Sequence, residues 1–240
     1  MVKNDLIEKV EKSNQEIILS SLDIEWLSEE YPSLKITSKK LKGEICIQRI
    51  FNDITILDCF NIEVNLKYNE KSMLPSIRCT DDRIENISKE LNKKLNDLHI
   101  NENGTFCLTI YPEEIKFFKD NQFNIQEYFK NLVEPFLYWV CYYEKYNKAP
   151  WSEYAHGYLG IIEYIGDNDI SFREMYKLLK KEQISLRKIL NIYRQRKCLC
   201  EECELKNKSQ CKIRNCHPRI WQGIKKIKNL LCEKIIAIKA

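Results

Sequence analysis

Apolar residues near the start of the chain, Leu6, Val10, Ile17, Ile18, Leu22, Trp26 and Leu27, recur at mostly helical spacing. They predict a helix over residues 2–31, with room for a break near Ser20 or Ser21 before Tyr31-Pro32 ends it. From Leu34 the period shortens. The runs LKITSKKL, EICIQRIF, FNIEVNLKY and SIRCT alternate, as in Ile45/Ile47 and Ile62/Val64/Leu66, with Gly43 and polar stretches as joints. Alternation puts every second side chain on one face, which predicts an antiparallel meander of about four strands with a helix over one face.

Helical periodicity returns over 81–98, where Ile84, Ile87, Leu91, Leu95 and Leu98 form one stripe. The next stretch, HINENGTFCLTIYPEE, is broken by Asn101, Asn103, Gly104 and Pro112 and reads as irregular backbone. Asn124 with Glu127 three residues later opens an aromatic-rich helix through Tyr143, which Pro135 must kink or break. Its Tyr128, Phe129, Phe136, Tyr138, Trp139, Tyr142 and Tyr143 read as core rather than as a stacking platform. A loop holding Trp151, His156 and Gly157 follows. Ser171 with Glu174 repeats the capping signal for a helix through about Arg196, striped by Met175, Leu178, Leu179, Leu186, Leu190 and Tyr193. Pro218 sits at a first helical position for a last helix through Ile220, Ile224, Ile227, Leu231 and Ile235.

Composition adds two facts. The 240 residues, 44% hydrophobic and 31% charged, suffice for a core, and no run approaches the roughly 20 apolar residues of a membrane span. Charges also occupy the N-terminal positions where a secretory signal would be apolar, so a soluble cytoplasmic protein is expected. The net charge of +4 hides a second fact. Residues 1–170 hold 20 Lys/Arg against 29 Asp/Glu, whereas 171–240 hold 19 against 6. Such asymmetry predicts two modules with different partners, placed at 1–165 and 166–240.

Cysteines divide in the same way. Cys46, Cys59, Cys79, Cys107 and Cys141 are scattered through the first part, mostly in apolar or strand-like runs where a thiol behaves as a small buried hydrophobe. Five others lie within Cys198–Cys216. Without a secretory signal, such a cluster points to metal rather than to disulfides. Tetrahedral zinc takes four S or N ligands, and the segment offers Cys198, Cys200, Cys203, Cys211, Cys216 and His217. The ends, Cys-x-Cys and Cys-His, resemble the SEC-C type of zinc-binding tail. The expected ligands are therefore Cys198, Cys200, Cys216 and His217, with Cys203 and Cys211 as substitutes or a second pair. One closed structural ion would pin the flanking basic helices into a hairpin.

In the first module a thiol stands in a turn-rich segment, with His99 and Asn101 ahead of Cys107. A thiol is the most nucleophilic neutral side chain near neutral pH, and a thioester keeps an acyl group activated for later attack by an amine. Cys107 would accept an acyl group, Asn101 would donate a hydrogen bond to the developing oxyanion, and His99 would hold the loop. His156 would orient or deprotonate the incoming nucleophile if folding brought it near.

The order of sheet, His-x-Asn loop and cysteine resembles the ubiquitin-conjugating enzymes. The motifs His99–Leu108, Leu132–Trp139 and Trp151–Gly157 are most similar to conjugating-enzyme-like proteins of bacterial cyclic-nucleotide-based anti-phage signalling (CBASS) operons. The resemblance implies an α+β domain with the ubiquitin-conjugating-enzyme-like fold, followed by the helical zinc-binding tail. It also implies a thioester between Cys107 and the C-terminus of a cGAS-like nucleotidyltransferase, priming cyclic-nucleotide synthesis. The chain carries no Gly-rich adenylating loop, so either a separate activating enzyme would supply the acyl group or the partner's C-terminus would be captured by another route. Two alternatives stand beside this one. A cysteine hydrolase would use Cys107 with His99 or His156. A zinc-containing nucleic-acid-binding protein would have an inert conjugating fold; it ranks last because the tail interleaves few aromatic residues with its charges and its sequence carries no recognisable nucleic-acid motif.

Overall fold

Two adjacent residues with left-handed backbone, Asn52 (φ 46°) and Asp53 (φ 62°), reverse the chain in a two-residue turn whose twist matches that of the flanking strands. The computed structural model describes residues 16–68, 74–114, 117–119, 122–197 and 212–239. Strands β1 (Leu34–Ile36), β2 (Lys40–Phe51), β3 (Ile54–Tyr68) and β4 (Pro75–Cys79) form one antiparallel sheet in chain order. The expected meander is present, within an α+β arrangement that has flanking helices.

The strands differ in extent from the sequence reading. Gly43 is inside β2, not at a joint. A Cβ there would lie 2.1 Å from the Ser33 carbonyl oxygen, so glycine lets the chain before β1 cross β2 closely. The inner face of the sheet is apolar: Leu41, Ile45, Ile47, Phe60, Ile62, Val64 and Leu66 are each at most 1% exposed.

The outer face holds a correction. Cys46 and Cys59 are not buried thiols but exposed, directly opposed residues joined by a disulfide. The Asn52-Asp53 turn sets the register, Phe51 against Ile54, and the same register carries Cys46 to Cys59.

Helix α1 (Ser21–Glu30) is started by Ser20, which closes a capping box with Asp23. At residues 16–20, ahead of it, the helical reading fails, and residues 2–15 of that expected helix lie outside the described residues. Ile17 N–H donates to the Leu66 carbonyl, 2.9 Å, and Glu16 bridges Lys67, so sheet pairing overrides the local periodicity. The stripe over 81–98 is likewise divided into α2 (Arg83–Glu90) and a 3-10 turn, Leu95–Leu98, because Asn92 takes the left-handed region, φ 51°.

A short helix α3 (Tyr111–Glu114) precedes the hairpin β5 (Phe118–Lys119) and β6 (Gln122–Phe123). The aromatic helix then begins. Asn124 Oδ1 accepts from the Glu127 N–H, 3.0 Å, and opens α4 (Ile125–Tyr128), which runs through a π-turn (Phe129–Val133) into α5 (Glu134–Tyr146). Pro135 lies in the first turn of α5, directly after the π-turn that interrupts the α-helical hydrogen-bond ladder. Tyr128, Phe129, Phe136, Tyr138, Trp139 and Tyr142 are all buried, while Tyr143 is half-buried against the edge of the core. Among them Glu134, 7% exposed, accepts from Tyr31 Oη at 2.6 Å and Arg49 Nη1 at 3.0 Å, which satisfies its buried charge.

The chain divides into Met1–Ser152 and Glu153–Ala240, ahead of the boundary at 165 read from the sequence. The second unit is helical: α6 (Tyr158–Asp167), α7 (Phe172–Lys181), α8 (Leu186–Gln195), α9 (Ile213–Cys216) and α10 (Pro218–Lys239). Helix α6 belongs here because it packs on α10. Glycines make the contact close: a Cβ on Gly223 would lie 1.9 Å from the Ile162 carbonyl oxygen, and one on Gly166 would lie 2.9 Å from the Gly223 nitrogen. Arg219 joins the same surface to the entering loop, donating to the Glu153 carbonyl at 2.7 Å and to Asp167 at 2.6 Å. The single helix expected over 171–196 is two helices, since the chain turns at Gln183, φ 53°. Among the described residues no helix is long and apolar enough to cross a membrane.

Candidate active site

The segment read as irregular is a tight hairpin. Ile100 and Phe106 pair across it, both buried at 4% and 6% exposure. Between them Asn101-Glu102-Asn103-Gly104 turns, with Gly104 N–H donating to the Asn101 carbonyl at 2.9 Å. Asn101 N–H donates back to the Thr105 carbonyl at 2.8 Å, and Gly104 takes φ 77°. This is a three-residue hairpin loop that needs its glycine for the left-handed position. Its polar side chains rigidify the tip: Asn103 Oδ1 accepts from Thr105 Oγ1 at 2.7 Å, and Asn101 Nδ2 donates to the same hydroxyl at 3.1 Å.

Two anchors fix the hairpin to the core. Phe106 N–H donates to the Ile77 carbonyl of β4, 2.8 Å, and its ring stacks on Phe136 with centroids 4.5 Å apart. Side chains alternate along the arm, so with Phe106 inward the next residue, Cys107, falls on the other side. There it lines a cleft of about 580 Å³. The start of β4 (Leu74, Pro75, Ser76) forms one wall, the hairpin another, and Glu114 of α3, 4% exposed, a third. Tyr128 Oη donates to the Pro75 carbonyl at 3.1 Å, holding the β4 wall in place.

His99 and Cys107 face each other across the base of the hairpin: the Cys107 N–H donates to the His99 carbonyl at 2.7 Å. His99 itself is half-buried with φ 56°, and its ring meets Trp139 edge-on, centroids 4.9 Å apart. That contact positions the loop. Asn101 is exposed at the tip and also lines the cleft. His156 is exposed and belongs to the second unit, while every residue lining the cleft comes from the first.

The other first-unit thiols are differently placed. Cys79 Sγ donates to Asp81 Oδ1 at 3.3 Å, and burial, reinforced by that carboxylate, pushes its thiol up to about 12. Cys141, buried, donates to Asp58 Oδ2 at 3.3 Å, and burial and the Asp58 charge hold it protonated well above the usual thiol range. Neither is built to supply a thiolate.

Of the expected metal ligands, Cys198, Cys200, Cys203 and Cys211 lie outside the described residues. Cys216 is the last residue of α9 and His217 its C-cap, and His217 Nε2 is buried without a hydrogen-bond partner among the described residues. The chain enters and leaves the segment 198–211 through a paired neck, with Lys197 bridging Lys212 and Ile213 N–H donating to the Arg196 carbonyl at 3.1 Å. Among the described residues the geometry that would suit a metal is elsewhere, at Glu44, Cys46 and Cys59, where the disulfide consumes both sulfurs. The turn at Asn52-Asp53 was the sequence signal for that pair: counting outward from a two-residue hairpin puts the cysteines opposite each other.

The chain matches no protein-family model, no curated protein and no solved structure, so its chemistry is argued from its own side chains.

Proposed function

We propose that the first unit is an acyl carrier of the ubiquitin-conjugating kind, holding a partner protein's C-terminus as a thioester on Cys107. The observation that supports this reading is the placement of Cys107 beside an open cleft, on a hairpin locked by Phe106, Phe136 and the Asn101–Thr105 hydrogen bonds. An extended peptide tail enters the cleft between β4 and the hairpin. The Cys107 thiolate attacks a tail carbonyl already activated as a thioester by a separate activating enzyme. The new C–S bond forms as the old one breaks, the donor leaves as a thiolate, and nothing is oxidised. The expected donor is the C-terminus of a cGAS-like nucleotidyltransferase, as the resemblance implies, with the cytoplasm as the compartment. Asn101 stands at the cleft to donate to the oxyanion, and His99 is a positioning residue.

Co-expression with the genomic neighbours tests this by intact mass. Wild type is expected to carry a thiol-labile adduct, Cys107→Ala none, and Cys107→Ser a more stable ester. An adduct that survives in Cys107→Ala overturns the assignment. Turnover of a thioester without any adduct favours the hydrolase instead.

A structural zinc in the second unit belongs to the same proposal. The His217 Nε2, buried and without a hydrogen-bond partner among the described residues, lies next to Cys216 and suits a metal ligand, since a buried polar atom otherwise costs about 1–3 kcal/mol. Cys216 and His217 would hold the ion with two of the cysteines of 198–211. It would crosslink the neck to α9 and contribute folding energy rather than activate water.

A further inference from the structure

We infer that the second unit binds double-stranded DNA through the helix pair α7–α8, with α8 as the helix that enters the major groove. The two helices have ten residues each and are joined by Glu182–Ser185. Glu174 closes the capping box at the start of α7. At its end Ile184 N–H donates to the Leu179 carbonyl at 2.7 Å, and Gln183, φ 53°, turns the chain. The turn drops Ile184 into the interior with Met175, Leu179 and Ile189, against Ile220, Ile224 and Ile227 of α10; all are at most 9% exposed. The apolar faces of both helices are thus spent on packing, and α8 leaves its opposite face to solvent. Two helices joined by a four-residue turn, with their apolar faces inward, have the connectivity of a helix-turn-helix.

The outward face has the chemistry of a groove reader. Arg187, Asn191 and Arg194 are exposed and spaced four and three residues apart, which aligns them on one side of α8. Arginine is the side chain that reads guanine in the major groove bidentately, and asparagine reads adenine. On α7, Arg173, Lys177 and Lys180 form a second exposed stripe of the same spacing, suited to phosphates of the flanking backbone. Residues 171–197 contain nine Lys/Arg against two Asp/Glu. An anionic membrane would need an apolar face turned outward, and here that face is inside. The scarcity of aromatic residues counts against single-strand binding, where bases stack, but a duplex reader needs none.

The test uses the full chain, with fluorescence anisotropy of a labelled mixed-sequence duplex across a salt series, followed by selection from a random duplex pool. Binding is expected to weaken steeply with salt. Lys177→Ala with Lys180→Ala is expected to lower the log–log salt slope by about two. Arg187→Ala is expected to weaken binding to selected sequences by about tenfold or more, while Lys177→Ala acts equally on all sequences. Cys107→Ala should bind like wild type, which separates this inference from the carrier reading. Circular dichroism matching wild type qualifies each variant; if Arg187→Ala fails that check, Arg194→Ala takes its place. Failure to bind duplex at low salt overturns the inference. So does equal or tighter binding to single strands, or to vesicles of anionic phospholipid.

Discussion

Reactivity in the first unit turns on where each thiol sits. Cys79 and Cys141 each donate to a carboxylate and are buried enough to stay protonated, whereas Cys107 lines a cleft. Iodoacetamide at mildly alkaline pH, followed by peptide mapping, is therefore expected to label Cys107 well before Cys79 or Cys141 in the native chain, with the difference lost on denaturation. Equal native labelling would remove the basis for choosing Cys107. That a thiol with His99 and Asn101 ahead of it forms one local unit was legible in the sequence, because all three lie on a short continuous stretch. The contact of His99 with Trp139 was not legible, since it joins residues far apart in the chain. The same limit hid the buried Glu134, whose partners Tyr31 and Arg49 come from elements with no local relation to it.

Among the elements, the α6–α10 crossing depends most sharply on side-chain absence. Alanine favours helix over glycine by about 1 kcal/mol, yet at Gly223 its Cβ would overlap the Ile162 carbonyl and push the helices apart. Gly223→Ala is expected to destabilise the second unit by about 3 kcal/mol, measured by urea unfolding followed at the stacked Tyr193–Trp221 pair. Gly104→Ala is the contrast: its Cβ meets open space, so only the left-handed backbone costs, about 1 kcal/mol. A stabilised Gly223→Ala would contradict the close crossing. Element ends follow the same logic of local against distant forces. Asn124 and Ser171 accept the expected hydrogen bond at a helix start, and Ser20, read only as a place for a break, does the same. The interruptions at Asn92 and Gln183 broke runs whose periodicity alone would continue.

Across the molecule, charge is distributed in two ways, as a specific network and as a broad field. Arg83 donates to both Asp58 oxygens, at 3.0 and 2.7 Å, and to Glu144 at 3.0 Å, while its guanidinium lies 4.2 Å over Phe60. Its hydrogen bonds hold the Asp58 carboxyl below the ordinary carboxylate range. A depressed native value means that the unfolded chain takes up the proton first. The stabilisation is therefore complete above about pH 4 and is lost as pH falls through the native value. Arg83→Met should cost about 1 kcal/mol near neutral pH, discounted for partial exposure, and less near pH 3. Urea unfolding at both pH values checks this, and a gap that persists in acid would assign the effect to packing on Phe60. Chelation is expected to remove about one metal ion per chain and to lower the melting temperature by several degrees. Unchanged melting of a metal-free preparation would withdraw the structural zinc.

What the sequence determined by itself was whatever depends on neighbours along the chain: the alternation that makes the sheet, the capping residues, the acidic and basic halves, and the His99–Cys107 segment. Tertiary structure alone decided where those pieces meet. It set the cleft between β4 and the hairpin, placed His156 in the other unit, and divided 171–196 into a helix pair. The reason is physical. Periodicity encodes which face of an element is apolar, but the partner for that face, and the turn that brings it there, are set by packing among residues distant in sequence.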